Sequence, residues 1–191
     1  MIIESCNMFM NEEQDKILFV KEKLEILICQ YPFWETLNPK LHLLIKELPD
    51  FYQKSTNVKA KMTHYSVINK DFMKIAKWVH QKIPKILSQG IITTSSFKLV
   101  NIWGVLYNEN EYTVSHKHRP STYSFVYFVN VPKNSSPLVF DYSNTKIYPH
   151  PGKCAIFPSW ISHKVPKNKS KERSVISGNF AYMPENDVIS F

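Results

Sequence analysis

Cysteine is scarce in this chain of 191 residues: Cys6, Cys29 and Cys154 lie far apart, with no paired spacing. That argues against a disulfide framework. No apolar run approaches the ~20 residues that a membrane-spanning helix needs. The start, Met1-Ile2-Ile3-Glu4-Ser5, lacks a basic stretch followed by an apolar one, so no secretion signal is expected. A reducing cytosol is the expected compartment. There is no internal repeat and no low-complexity linker. An Arg-rich helix or other nucleic-acid motif is missing as well, although 24 Lys and Arg against 16 Asp and Glu leave a net charge of +8. The basic residues are scattered and read as solvated surface. They are compatible with an anionic partner without specifying one.

What is present describes a folded protein. Hydrophobic residues make up 43% and aromatics 14%, enough for a real core in a single domain over residues 1–191. Residues 1–90 read mainly as helix. Ile17, Leu18, Val20, Leu24, Leu27 and Ile28 share one side of a segment from about Glu12 to Gln30, closed by Pro32. A second helix is expected from Pro39 to about Tyr52, with the proline in its first turn. A third opens at Asn69, a good N-cap, and carries Phe72, Ile75, Ala76, Val79 and Ile83 before Pro84 and Gly90 end it. His42, His64 and His80 have no metal-ligand spacing and read as surface or half-buried residues.

From residue 91 the texture changes to strands. Phe97–Tyr107, Tyr123–Val131, Pro137–Asp141, Lys153–Phe157 and Arg173–Tyr182 are rich in aromatic and β-branched residues. Loops rich in Asn, Pro and Gly separate them. Short strands at even spacing predict an α+β fold: a sandwich or jelly-roll core over residues 91–191, with the helices packed outside it.

The chemistry concentrates in two segments of that core. His116-Lys117-His118 follows a turn, and on a strand residues i and i+2 point to one face, so both imidazoles can aim at one point. His163 follows the apolar run Lys153–Phe157 and a proline bend at Pro158. A third imidazole from a distant strand would complete a facial metal set with open positions. Arg173 stands ten residues after His163 and opens the last strand, where Arg173, Val175, Ser177 and Asn179 share a face. Its planar fork suits a carboxylate. Gly178 on the other face hints at close packing. Asp141 is an alternative source of a metal-binding carboxylate. Trp103 and Trp160 read as packing residues, and His150 and Cys154 carry no evident role.

The order and spacing of these residues resemble the Fe(II)- and 2-oxoglutarate-dependent oxygenases of the double-stranded β-helix fold. Those enzymes carry His-x-Asp/Glu, a distal His and an Arg about ten residues further on. Residues Trp103 to Tyr182 look especially like a phage and marine-bacterial subgroup with His-x-His and Phe-Pro-Ser-Trp-x-x-His, here His116–His118 and Phe157–His163. The resemblance implies Fe(II), 2-oxoglutarate and O2 as cofactor and cosubstrates. It implies His116, His118 and His163 as metal ligands and as the catalytic centre, with Arg173 as the 2-oxoglutarate anchor. Tyr107, nine residues before His116, matches a tyrosine that touches 2-oxoglutarate in relatives. Tyr127 in Tyr127-Phe128-Val129-Asn130 matches one that supports the same carboxylate in prolyl hydroxylases. The departure is His118 where most relatives have a carboxylate.

Two other readings fit parts of the pattern. Gly152-x5-Pro158-x-Trp160-x2-His163 has the spacing of a cupin motif, although the glutamate that usually follows a cupin His-x-His is missing after His118. A non-catalytic metal- or anion-binding module is the third. The substrate, whether small molecule, protein or nucleic acid, and the oligomeric state are not legible.

Overall fold

The computed structural model describes residues 24–83 and 96–183 of the chain. Among them, two antiparallel sheets pack face to face, and two helices cover the outer face of the larger one. The larger sheet has the order β1 (Leu27–Gln30), β9 (Lys153–Pro158), β6 (Tyr123–Asn130), β11 (Arg173–Tyr182), β4 (Phe97–Tyr107), β3 (Lys61–Met62). The smaller runs β2 (Val58–Lys59), β5 (Tyr112–His116), β10 (His163–Val165), β7 (Leu138–Phe140), β8 (Thr145–Ile147). The α+β jelly roll is as expected, but its sheets are not confined to residues 91–191: β1, β2 and β3 come from the part expected to be mainly helical.

The central strands explain why the sequence shows apolar runs and not alternation. β6 is buried on both faces, so nearly every side chain is apolar. Phe125, Tyr127 and Val129 face the helices, whereas Val126 and Phe128 face the small sheet. Gly178 in β11 bears out the close packing expected of it. A Cβ there would sit 2.6 Å from Phe125 Cε1 and 2.8 Å from the Asn101 carbonyl oxygen.

The helices differ in how well the sequence placed them. α2 (Lys70–His80) starts as expected, with the Asn69 side chain accepting from Asp71 N at 2.8 Å, and it buries Phe72, Ile75, Ala76 and Val79. α1 (Trp34–Glu47) begins five residues earlier than expected and ends five earlier. Pro39 therefore lies inside the helix, where it forgoes a backbone bond. Tertiary contacts outweigh that loss. Leu37, Leu41 and Ile45 are buried, and the Asn38 amide donates to the Val129 carbonyl at 2.7 Å. The end is local: Leu48 precedes Pro49 and takes an extended ψ of 142°.

The expected Glu12–Gln30 helix is corrected where it can be seen. Leu27–Gln30 is strand, pairing with β9 from Leu27↔Ile156 to Gln30↔Lys153. The alternation of half-buried Leu27 and Cys29 with exposed Ile28 and Gln30 fits this edge position. The rest of that helix lies largely outside the described residues, as do Cys6, Pro84 and Gly90. No helix among the described residues is long and apolar enough to cross a membrane.

Candidate metal centre

β5 and β10 are neighbours in the smaller sheet, and their register sets His163 directly opposite His116. His118 stands two residues beyond the end of β5, so only His116 of the pair is on the strand. The His118 N–H donates to the Ser159 carbonyl at 2.8 Å, which holds the loop where the rings still converge. Nε2 of His116 and Nε2 of His118 are 3.1 Å apart. Two imidazole nitrogens at right angles around a metal, each ~2.1 Å from it, would be ~3 Å apart. One ring nitrogen from each of the three histidines lies within 4.8 Å of the others, so the group could hold a metal ion.

Backbone carbonyls fix the rings from behind. His116 Nδ1 lies 2.8 Å from the Val114 oxygen, and His163 Nδ1 lies 2.9 Å from the Ile161 oxygen. A carbonyl can only accept, so both Nδ1 atoms carry hydrogen and both Nε2 atoms offer a lone pair. Burial lowers the basicity of all three rings. His118 falls to about 3, with the neighbouring His116 and His163 adding to the desolvation, and His163 falls to about 4. His116 is lowered for the same first reason. All three are neutral at pH 7, the form that binds metal.

Asp141 is not in this set. Its Oδ2 accepts hydrogen bonds from the Ser115 and Ser162 hydroxyls, the latter at 2.7 Å, and its Oδ1 pairs with Lys164 at 3.0 Å. Burial pushes this carboxyl up, but those donors outweigh it and hold it at about 2. Ser115 and Ser162 directly precede two of the histidines. Asp141 thus ties the two histidine-bearing segments together and is not one of the three-residue group that could hold a metal. The sequence signal was there, a serine before His116 and before His163, but nothing local links either to Asp141.

Arg173 opens β11 opposite Tyr107 of β4 and is fully buried. Its guanidinium carbon sits 4.7 Å from the centre of the Tyr107 ring and 5.6 Å from that of Phe128. The aromatic faces offset part of its desolvation. None of Nε, Nη1 and Nη2 has a hydrogen-bond partner. A buried cation left without acceptors costs several kcal/mol, so the fork is disposed to take an anion. Burial lowers the guanidinium pKa, yet an arginine keeps its proton in proteins. Arg173 and the three histidines line one narrow cleft of about 30 Å3, with Tyr107 and Trp103 among its walls. That is room for a water or two.

Tyr107 is beside Arg173, as expected, and its hydroxyl is 2.6 Å from Thr113 Oγ1. Burial pushes this phenol up, so it stays neutral. Tyr127 does not join the site. It lies in the helix-side core, where its hydroxyl donates to Asn38 Oδ1 at 2.6 Å, and its neighbour Phe128 is the residue that meets Arg173. Trp103 is buried with its indole N–H unpartnered, and its ring centre is 5.7 Å from that of His118. Trp160 is 44% exposed, not packed as expected.

Asn168, unremarked in the sequence, organises the loop that delivers Arg173. Its amide donates to the Ser170 carbonyl at 2.7 Å and to the Tyr107 carbonyl at 3.3 Å, while its backbone exchanges bonds with Asn110 and Glu111. A single asparagine among lysines carries no sequence signal of such a role.

No family model and no curated protein matches the sequence. The fold, however, matches solved structures of 2-oxoglutarate oxygenases. A viral collagen prolyl hydroxylase of Paramecium bursaria Chlorella virus 1, in a 2-oxoglutarate complex, superposes with a TM-score of 0.61 at 12% identity, over 81% of this chain and 94% of that one. An oxidoreductase of the 2OG-Fe(II) oxygenase family from Burkholderia pseudomallei gives 0.60 at 9% identity, over 82% and 84%. HygX of Streptomyces hygroscopicus, with nickel and 2-oxoglutarate bound, gives 0.59 at 7%, over 83% of each chain. At these identities the likeness is one of fold.

Proposed function

We propose that this chain is a non-haem Fe(II)- and 2-oxoglutarate-dependent oxygenase that hydroxylates a substrate at an unactivated C–H bond. The observation that carries this reading is the Arg173 guanidinium, buried without a hydrogen-bond acceptor in the same cleft as three neutral histidines. A metal site alone does not call for that arginine. A ligand that must reach both a metal and a buried fork is a dicarboxylate.

His116, His118 and His163 would hold Fe(II), for which imidazole is a suitable ligand. Arg173 would take the far carboxylate of 2-oxoglutarate, with Tyr107 beneath the guanidinium. Iron, 2-oxoglutarate and O2 supply the oxidation: the keto acid gives succinate and carbon dioxide, and one oxygen atom enters the substrate. The protein's share is orientation and exclusion of water. The Val114 and Ile161 carbonyls aim two of the imidazoles, and Val126, Phe157 and Val175 line the cleft with apolar surface.

With Asp141 held by Ser115, Ser162 and Lys164, the metal set contains no carboxylate. Three neutral imidazoles leave the full charge of the dication to be balanced by the bound keto acid. The experiment is succinate formation from 2-oxoglutarate by the iron-loaded protein under air. Turnover that disappears in Arg173→Ala is expected. Metal binding with no 2-oxoglutarate affinity would favour a cupin-type metal protein instead.

A further inference from the structure

A groove of about 280 Å3 opens on His116 and His118, and Arg173 is not among the residues that line it. Its walls include Trp103, Lys117 and Arg119, with Asn101, Asn179 and Tyr65. No acidic side chain lines it among the described residues. The acids of the surrounding segments are engaged elsewhere. Asp50 caps the Gln53 and Met62 N–H groups, Glu111 pairs with Lys54 at 2.8 Å, and Asp141 pairs with Lys164. Lys117 and Arg119 have no hydrogen-bond or ion-pair partner among the described residues.

Two exposed cations on a loop would by themselves be solvated surface. Here they meet a second, independent feature. The Trp103 indole N–H is buried without an acceptor, in a side chain that lines both this groove and the neighbouring cleft of Arg173. An orphaned buried donor is costly and calls for a partner. A metal held by three uncharged imidazoles adds positive field from the floor of the same groove.

We propose that this groove takes a substrate bearing a carboxylate or phosphate group, which Lys117 and Arg119 hold at the rim while the Trp103 N–H meets an acceptor atom further in. The proposal rests on the oxygenase reading only in calling the occupant a substrate. Arg119 offers the fork that recognises either anion, and Lys117 a point charge beside it.

The test is the indole N–H spectrum of 15N-labelled, zinc-loaded protein. The Trp103 signal is identified by its loss in Trp103→Phe, or by its contacts to the Tyr65 ring should that variant not fold. Methyl phosphate and acetate are titrated in at constant ionic strength set with chloride. We expect a saturable shift of the Trp103 signal with at least one of them. Its apparent Kd should weaken at least about tenfold, the loss of one charge-assisted contact, in the Lys117→Ala/Arg119→Ala double variant and stay unchanged in Arg173→Ala. Phosphate alone, or acetate alone, moving the signal identifies the anion. A silent signal, an equal shift in the double variant, or a shift that disappears in Arg173→Ala would each overturn the proposal. Succinate formation reports separately: a Trp103 response without turnover removes the reaction and leaves the groove, whereas turnover with a silent Trp103 removes the groove alone.

Discussion

His163 faces His116 across the β10–β5 ladder, and each directs Nδ1 to the carbonyl two residues before it in the chain. The two rings are therefore set by the same local device on paired strands. Fixed rings with free Nε2 atoms need little rearrangement to take a metal. We expect one divalent ion per chain, lost in His116→Ala and in His163→Ala, with content measured by emission spectroscopy. Imidazole suits Fe, Ni, Cu and Zn alike, so several of these metals should load in vitro. One full equivalent remaining in both variants would remove the assignment.

Arg173 gives a prediction in which stability and function move apart. Loss of one partner of a buried charge pair costs on the order of 2–5 kcal/mol in binding. Arg173→Met should therefore weaken 2-oxoglutarate binding by roughly 30-fold or more, read by anaerobic calorimetry, with metal content intact. In the absence of 2-oxoglutarate the same variant should be no less stable than the parent, because replacing an unpaired buried cation by an apolar side chain is often neutral or stabilising. A purely structural arginine would give the reverse: a lower midpoint of urea unfolding and no change in affinity.

The elements legible in the sequence were the long ones with their own signals. β4 and β11 are bounded as the aromatic and β-branched runs predict, and α2 starts at its Asn69 cap. What the sequence hid depends on pairing between distant segments. β10 has three residues, and β1 reads as the end of a helix until β9 offers it a free edge. The site shows the same division. His116, His163, Arg173 and Tyr107 come together because their spacing follows strand order. Tyr127 fails by one position: β6 is buried on both faces, so its apolar run contains no alternation to say which residues face the cleft. Asp141 acts through contacts 21 or more residues away, and Asn168 adds to its local bond with Ser170 distant ones to Tyr107 and Ser136, which no local pattern encodes.

Tyr127 is accordingly predicted to matter for stability alone. Its hydroxyl donates to Asn38, which also ties α1 to the Val129 carbonyl. Tyr127→Phe leaves a buried acceptor unsatisfied, a loss of about 1–3 kcal/mol. Urea unfolding should show it, while metal content and 2-oxoglutarate affinity stay within twofold. A large loss of 2-oxoglutarate affinity in this variant would return Tyr127 to the site.

Acid should destabilise the metal-free protein in a defined window. In the unfolded chain these histidines titrate near ~6.5, whereas His163 and His118 in the fold take protons only at about 4 and about 3. Between those limits the unfolded state binds more protons, so stability falls as pH drops from ~6.5, by up to ~1.4 kcal/mol per pH unit for each histidine. Above that range their contribution is constant. Asp141, held at about 2, adds its own loss in the same direction only below about pH 5, where the unfolded-state carboxyl begins to take up its proton. His163→Gln should flatten the pH dependence of urea midpoints between about pH 7 and about 4.5. Identical slopes for parent and variant would show that His163 is not kept neutral.

His118 decides whether the metal set is complete with three imidazoles. Its ring is held over the site by the Ser159 bond and by Trp103, with Nε2 at 3.1 Å from Nε2 of His116. Replacing it with Asp gives the His-x-Asp pattern of the oxygenases that the sequence resembles, and the loop position is unchanged. His118→Asp should keep iron, since carboxylates also bind Fe(II), and the added negative charge should shift the visible charge-transfer band of the Fe(II)–2-oxoglutarate complex. His118→Ala opens a coordination position and should hold iron more weakly. Iron bound equally tightly in the Ala variant, with a band that does not move in either, would place His118 off the metal. The same pair separates hydroxylation from halogenation, because a halide needs the space that His118 fills. Hydroxylated product is expected from the parent, and chlorinated product from it would contradict His118 as a ligand.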